Sequence, residues 1–256
     1  MTIRKPKEEK LIREAADISM KILFELGQNV RKGAKTIDLD NLAGELCRDY
    51  KVKPAFKNVS GYDYNTCISI NDEILHGIPD QKEVLEIGDL VKIDFGIIYK
   101  KFHTDPCWTF AVEQVSKRDM KLLKASREAT ENAVGKAISG NFTGDLGYEM
   151  NKTAKNYGYN TVKEYVGHGI GKNLHEDPEI PSYGQRGIGE LLEDGMIICV
   201  ECQVVDGSGR TKISPNGWTV KSLEGGKAGM YEYMVIVRDK EPEVLTPMFD
   251  WPVIIK

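Results

Sequence analysis

Apolar residues recur at helical spacing in the first segment of the chain. Leu11, Ala15, Ile18, Ile22 and Leu26 share one face of a helix predicted from about Lys7 to Leu26, with Gly27 as its stop. Thr36 suits the N-cap of a second helix running toward Tyr50. The period then changes, and Cys67–Ile70, Leu90–Tyr99 and Phe102–Val112 read as strands. Helical spacing returns from about Ser116 to Ile138 and from about Thr143 to Tyr157. Strand-like runs follow at Thr161–Val166, Met196–Val205 and Met230–Val237. Helices followed by strands thus occur twice, which predicts an α+β fold.

The two halves also repeat in sequence. Gly33-Ala34-Lys35-Thr36-Ile37-Asp38-Leu39 matches Gly140-Asn141-Phe142-Thr143-Gly144-Asp145-Leu146 at four positions, at an offset of 107 residues. The same offset lays Leu85-Glu86-Ile87-Gly88 over Leu192-Glu193-Asp194-Gly195, and Asp94 over Glu201. The pattern predicts a duplicated unit, with symmetry-related strands pointing acidic groups at one centre.

Those acids sit where an unpaired charge is costly. Asp94 ends the apolar run Leu90–Ile93, and a turn near Tyr99–Lys100 sets it opposite Asp105. Two carboxylates that close need a proton or a cation, unless both are exposed on the hairpin. Glu201 and Glu232 also lie in apolar strands, joined by an insertion that includes Gly207–Gly217 and Trp218. His168 stands in Gly167-His168-Gly169, either a structural turn or a close approach to a ligand. His76, His103 and His175 cluster near the same motifs, and His103 reads as a ligand or a neighbour of one. Imidazole beside carboxylate suits Mn²⁺, Fe²⁺, Co²⁺ or Zn²⁺ better than Mg²⁺ or Ca²⁺. Cys199 and Cys202 form a single Cys-x-x-Cys with no second pair. On a strand they face opposite ways, which argues against a zinc-thiolate or redox role.

Composition narrows the class. The 256 residues carry a net charge of −4, so no global basic field for DNA exists. The basic residues of the first segment read as a solvated helix face. No apolar run approaches the ~20 residues of a membrane span. The start, Met1-Thr2-Ile3-Arg4, does not read as a secretory signal. Five irregularly spaced cysteines point to free thiols and a cytoplasmic setting.

Taken in order, His76-Gly77-Ile78-Pro79, Ile93-Asp94, Asp105, Gly167-His168-Gly169-Ile170-Gly171, His175-Glu176-Asp177-Pro178 and Tyr231-Glu232 resemble the motifs of type I methionine aminopeptidases. The resemblance covers nearly the whole chain. It implies the pita-bread (creatinase/aminopeptidase) fold, a pseudo-twofold symmetric antiparallel sheet covered by helices. It further implies a single catalytic domain over 1–256, with halves of about 1–112 and 113–256, and a monomer acting on nascent polypeptide N-termini, with the ribosome as a further partner. Two divalent ions are implied, one held by Asp94, Asp105 and Glu232, the other by Asp105, His168, Glu201 and Glu232. Glu201 would also act as base, with His76 and His175 as the other catalytic and substrate-binding residues. Tyr62, Cys67 and Trp218 would form the methionine pocket, with Tyr64 as a further wall.

Some positions differ from the family pattern. Cys202-Gln203 follows Glu201, Tyr233 follows Glu232, Lys227–Met230 precedes Tyr231, Leu174 precedes His175, and the loop from Gly61 to Cys67 is short. The chain leaves no room for the late helical insertion of type II enzymes or for an N-terminal zinc-binding extension. Two rival readings share the fold: an Xaa-Pro aminopeptidase or prolidase, which usually carries a separate N-terminal domain, and an inactive binding protein, which usually loses metal ligands.

Overall fold

The computed structural model describes residues 5–255; the reading of Met1–Arg4 lies outside them. The chain opens with helices α1 (Pro6–Gln28) and α2 (Thr36–Asp49). Seven strands follow: β1 (Lys53–Pro54), β2 (Cys67–Ile70), β3 (Glu73–Leu75), β4 (Leu90–Asp94), β5 (Ile97–Tyr99), β6 (Phe102–His103) and β7 (Cys107–Val112). Helices α3 (Lys117–Val134) and α4 (Thr143–Asn156) begin the second half. Then come β8 (Asn160–Thr161), β9 (Gly167–Gly169), β10 (Glu176–Ile180), β11 (Ile197–Val205), β12 (Thr211–Ile213), β13 (Val220–Ser222), β14 (Ala228–Ile236), β15 (Glu243–Val244) and β16 (Ile254–Ile255).

The main sheet runs β10-β9-β11-β14-β7-β4-β2, antiparallel along this path. Its centre is the β7–β14 pair, so β4–β7 on one side mirrors β14–β11 on the other. The 107-residue offset recurs in the hydrogen bonds. Gly33 N donates to Leu85 O at 2.8 Å, and Gly140 N to Leu192 O at 2.9 Å. Thr36 N donates to Glu83 O at 3.1 Å, and Thr143 N to Glu190 O at 2.9 Å. Helices α2 and α4 each have 14 residues. A duplicated unit keeps such contacts because each helix entry is tied to the loop before its own sheet strand.

Period-two alternation sorts the sheet residues. Ile93, Trp108, Val200, Cys202, Tyr231 and Tyr233 pack into the core against the four helices. Their sequence neighbours Asp94, Cys107, Cys199, Glu201 and Glu232 face the other way. This sorting also settles which unusual residues touch the acidic face. Cys202 and Tyr233 are on the helix side, where the Tyr233 hydroxyl donates to Glu131 at 3.2 Å. Gln203 and Leu174 lie on the acidic side.

Several local expectations need correction. Helix α1 runs through Gly27 rather than stopping there. A Cβ at that position would lie 2.4 Å from the Phe110 ring, so glycine lets the helix approach strand β7. Thr36 is the first residue of α2, not its cap. Its hydroxyl accepts from Asp80 N at 2.8 Å instead. The stretch 161–166 is strand only at Thr161. The basic face of α1 is exposed, as expected, and part of it is paired: Arg13 meets Glu243 at 2.6 Å and Lys21 meets Asp17 at 2.7 Å. No helix among the described residues is long and apolar enough to cross a membrane.

Candidate metal centre

Asp94 closes β4 and pairs with Cys67 on one side and Cys107 on the other. The expected pairing of Asp94 with Asp105 is therefore shifted by two residues. Between the two acids, β5 and β6 leave the main sheet as a hairpin, and β5 pairs with β1. Their turn is Lys100–Lys101, with φ of 46° and 78°, the hand that two-residue hairpins require. Asp105 precedes β7 in an irregular step with Pro106, which has no N–H for a ladder. Its own N–H donates to Met234 Sδ at 3.2 Å. The irregular step returns the Asp105 carboxyl to the neighbourhood of Asp94, where it helps to raise the pKa of that group.

In the second half, Glu201 of β11 stands directly opposite Glu232 of β14. His168 of β9 stands opposite Cys199. The glycines beside His168 admit neighbouring backbone rather than a ligand. A Cβ on Gly167 would meet Cys199 O at 2.4 Å, and one on Gly169 would meet Asp177 O at 2.1 Å. His168 Nδ1 lies 2.9 Å from Gly169 O, and Nε2 lies 3.5 Å from Asp105 Oδ2. With Nδ1–H donating to that carbonyl, the Nε2 lone pair would face the cluster once Nε2 gives up its proton, as a metal ligand must. Gly169→Ala forces β10 away from β9. We expect about 2–3 kcal/mol of destabilisation, read as a fall in Tm of roughly 5–10 °C. An unchanged Tm would show that the two strands are not tightly apposed.

Electrostatics make the cluster unstable on its own. Burial, reinforced by Asp105 and Glu201, holds Asp94 well above the usual carboxylate range. Glu232 is raised by burial and by Asp105, Glu201 and Asp94. Burial also pushes Glu201 to about 7. Burial alone would lower His168, but its contact with Asp105 outweighs this and the pKa is raised. Asp94 Oδ1, Asp105 Oδ1 and Glu232 Oε1 are buried without hydrogen-bond partners. The buried ammonium of Lys92 is turned away to main-chain oxygens of Asn71 and Ala228, at 3.0 and 3.2 Å. No lysine or arginine among the described residues lines the cavity. Ligand atoms of Asp105, His168, Glu232 and Cys199 all lie within 4.8 Å of one another. Orphaned carboxylate oxygens around an imidazole nitrogen fit divalent cations.

The cavity, about 690 Å³, extends from this cluster to an aromatic pocket. Tyr62, Cys67, Phe56 and Ala55 form its buried wall, and Tyr64, Leu174 and Trp218 pack against it. Tyr62 and Trp218 meet edge-on with centroids 5.0 Å apart, and the Tyr62 hydroxyl donates to Thr66 O at 2.8 Å. Trp218 arrives on the β12–β13 hairpin, the insertion of the second half. His175 lies 4.5 Å from His168, and His76 contacts Tyr165 at 5.7 Å. Burial lowers the pKa of both His76 and His175, so both are neutral at pH 7. His76 holds φ of 55°, an uncommon conformation for a side-chain-bearing residue that is found more often at functional sites. His103 lies outside the four-residue cluster and does not line the cavity.

Sequence reasoning missed Phe56, Cys199 and Gln203. Phe56 had no motif to mark it. Cys199 and Gln203 were readable by parity, each two residues from Glu201 on one strand. The Gln203 amide donates to Glu201 Oε2.

The model of metallopeptidase family M24 matches residues 10–239. The chain is 38% identical over 244 residues to a methionine aminopeptidase of Clostridium acetobutylicum, covering 95% of this chain and 98% of that one. A methionine aminopeptidase structure from Thermotoga maritima matches with a TM-score of 0.93 and 33% identity, over 96% of this chain and 99% of that one. An Xaa-Pro dipeptidase from Bacillus anthracis shares the fold at a TM-score of 0.78 and 23% identity. That match spans 99% of this chain but 64% of the other.

Proposed function

Because the chain belongs to metallopeptidase family M24, and within it to the methionine aminopeptidases, we propose that it removes N-terminal methionine from peptides and nascent proteins by two-metal hydrolysis, preferring a small second residue. The observation that carries this reading is the convergence of the buried Asp105, Glu201 and Glu232, the half-buried Asp94 and the His168 imidazole on a cavity that no lysine or arginine among the described residues lines.

Asp94, Asp105 and Glu232 would hold one divalent ion, and Asp105, His168, Glu201 and Glu232 the other, with Asp105 and Glu232 shared. Bound ions of the Mn²⁺, Fe²⁺, Co²⁺ or Zn²⁺ type supply Lewis acidity, polarising the scissile carbonyl and acidifying a water. Glu201, oriented by the Gln203 amide, takes the proton of the attacking water and returns it toward the leaving amine. Neutral His175 donates a hydrogen bond to the carbonyl oxygen as its negative charge grows. Neutral His76 holds the peptide nitrogen side of the scissile bond. The methionine side chain lies among Tyr62, Cys67 and Trp218, where a thioether gains aromatic contact.

We read residues 1–256 as one catalytic domain with halves of about 1–112 and 113–256, acting as a cytoplasmic monomer. A single sheet crossing both halves supports the one domain, and five buried free cysteines suit a reducing compartment. Ribosome docking through α1 would draw on exposed cations of which Arg13 and Lys21 are already paired with acids of the same helix.

Turnover of Met-Ala-Ser against Ala-Pro-Ala by the metal-loaded protein tests the substrate. A preference of roughly 100-fold in kcat/KM for Met-Ala-Ser is expected. Faster cleavage of Ala-Pro-Ala would favour the prolidase reading instead.

A further inference from the structure

We propose that Cys199 donates its sulfur to the metal centre and biases this chain toward zinc, iron or cobalt over manganese. The inference rests on the two-ion reading above and adds a donor to it. Cys199 precedes Glu201 by two residues on β11, so both side chains share a face. Across the ladder it stands opposite His168. Its Sγ and the ligand atoms of Asp105, His168 and Glu232 lie within 4.8 Å of one another. Donors at about 2.0–2.3 Å from a common ion are at most roughly 4.6 Å apart, so only a small adjustment closes the set.

The sulfur is otherwise weakly engaged, its hydrogen-bond contact being Asp105 O at 3.9 Å. In the same cluster Asp105 Oδ1 and Glu232 Oε1 have no partner, although their residues are only 5% and 2% exposed. On loading, the thiol proton leaves to solvent and the sulfur lone pair takes its place on the ion. A thiolate is a soft ligand, whereas carboxylates also accept hard ions, so its presence changes selectivity. Cys67 and Cys107 flank Asp94 and are also buried, but neither belongs to this cluster.

The test is an anaerobic cobalt(II) titration of the chelated full chain, followed by absorption and by counting bound metal. A sulfur-to-cobalt charge-transfer band in the near ultraviolet is expected to grow with bound cobalt. Cys199→Ser should lose it, and Cys67→Ser and Cys107→Ser should keep it. Competition between zinc and manganese should show the zinc preference of Cys199→Ser reduced about tenfold or more. Cobalt bound to the unsubstituted protein without the band overturns the inference and leaves the two-ion reading intact, and this spectrum decides even if the serine variant misfolds. Survival of the band in Cys199→Ser also overturns it. Failure to bind any cobalt overturns the two-ion reading itself, and this inference with it.

Discussion

Glu201→Gln is expected to lower kcat for Met-Ala-Ser by roughly 10²–10⁴-fold, the range that a positioned general base supplies. Glutamine keeps the size of the side chain and its amide oxygen can still accept from Gln203, but it cannot take a proton from water. It also removes one negative charge from the cluster of Asp94, Asp105, Glu201 and Glu232. The chelated variant should therefore melt no lower, and at pH 7 higher, than the chelated parent. Loss of rate without loss of stability separates a chemical role from a structural one. A variant that turns over at the parent rate would remove Glu201 from the mechanism.

The second large effect is that metal-free protein weakens as pH rises. Asp94, Glu201 and Glu232 have folded pKa values raised above their unfolded ones. Such groups contribute stability that is complete below the unfolded pKa and is lost as pH rises through the folded pKa. For Glu201 the window runs from 4.5 to about 7, and the group is fully buried. Ionising it in the chelated fold costs about 3 kcal/mol, with Asp94 and Glu232 extending the loss above that window. His76 and His175 work oppositely, since their lowered pKa values make stability rise as pH climbs toward 6.5. The useful quantity is therefore the Tm gap between loaded and chelated protein at each pH, in which those histidines largely cancel. Divalent ions keep the carboxylates ionised and remove the penalty. The gap should widen by roughly 6–12 °C between pH 5 and pH 8. A constant or narrowing gap would mean that these carboxylates do not carry the metal.

Much of the frame was readable in the residues. The repeat from Gly33 to Leu39 and from Gly140 to Leu146 reappears as matched hydrogen bonds because it marks the entry of α2 and α4, where backbone contacts constrain the residues. The register of the first hairpin was not readable. Apolar residues dominate from Leu90 to Tyr99, interrupted only by Lys92, Asp94 and Gly96, and this alternation by itself does not show that β5 turns out of the sheet at Phe95–Gly96. The shift of Asp94 from Asp105 to Cys107 follows from that turn.

The Cys199–Cys202 pair was correctly read as facing two ways. That same alternation is what sets Cys199 on the face of Glu201, which a paired Cys-x-x-Cys motif does not convey. Trp218 sits in an insertion whose path depends on the β12–β13 hairpin pairing through β13 with β3, a long-range contact that no local spacing encodes. The aromatic pocket was therefore reached by resemblance, not by pattern.

The most direct test of the five-residue centre is an anaerobic metal titration of the chelated protein, with bound ions counted and Met-Ala-Ser turnover followed in the same samples. The account predicts two ions per chain, turnover that is absent without metal and appears with loading, and loss of ion binding in Asp105→Ala, which removes a carboxylate shared by both ions. Full turnover by protein free of metal, or unaltered ion binding in Asp105→Ala, would contradict it.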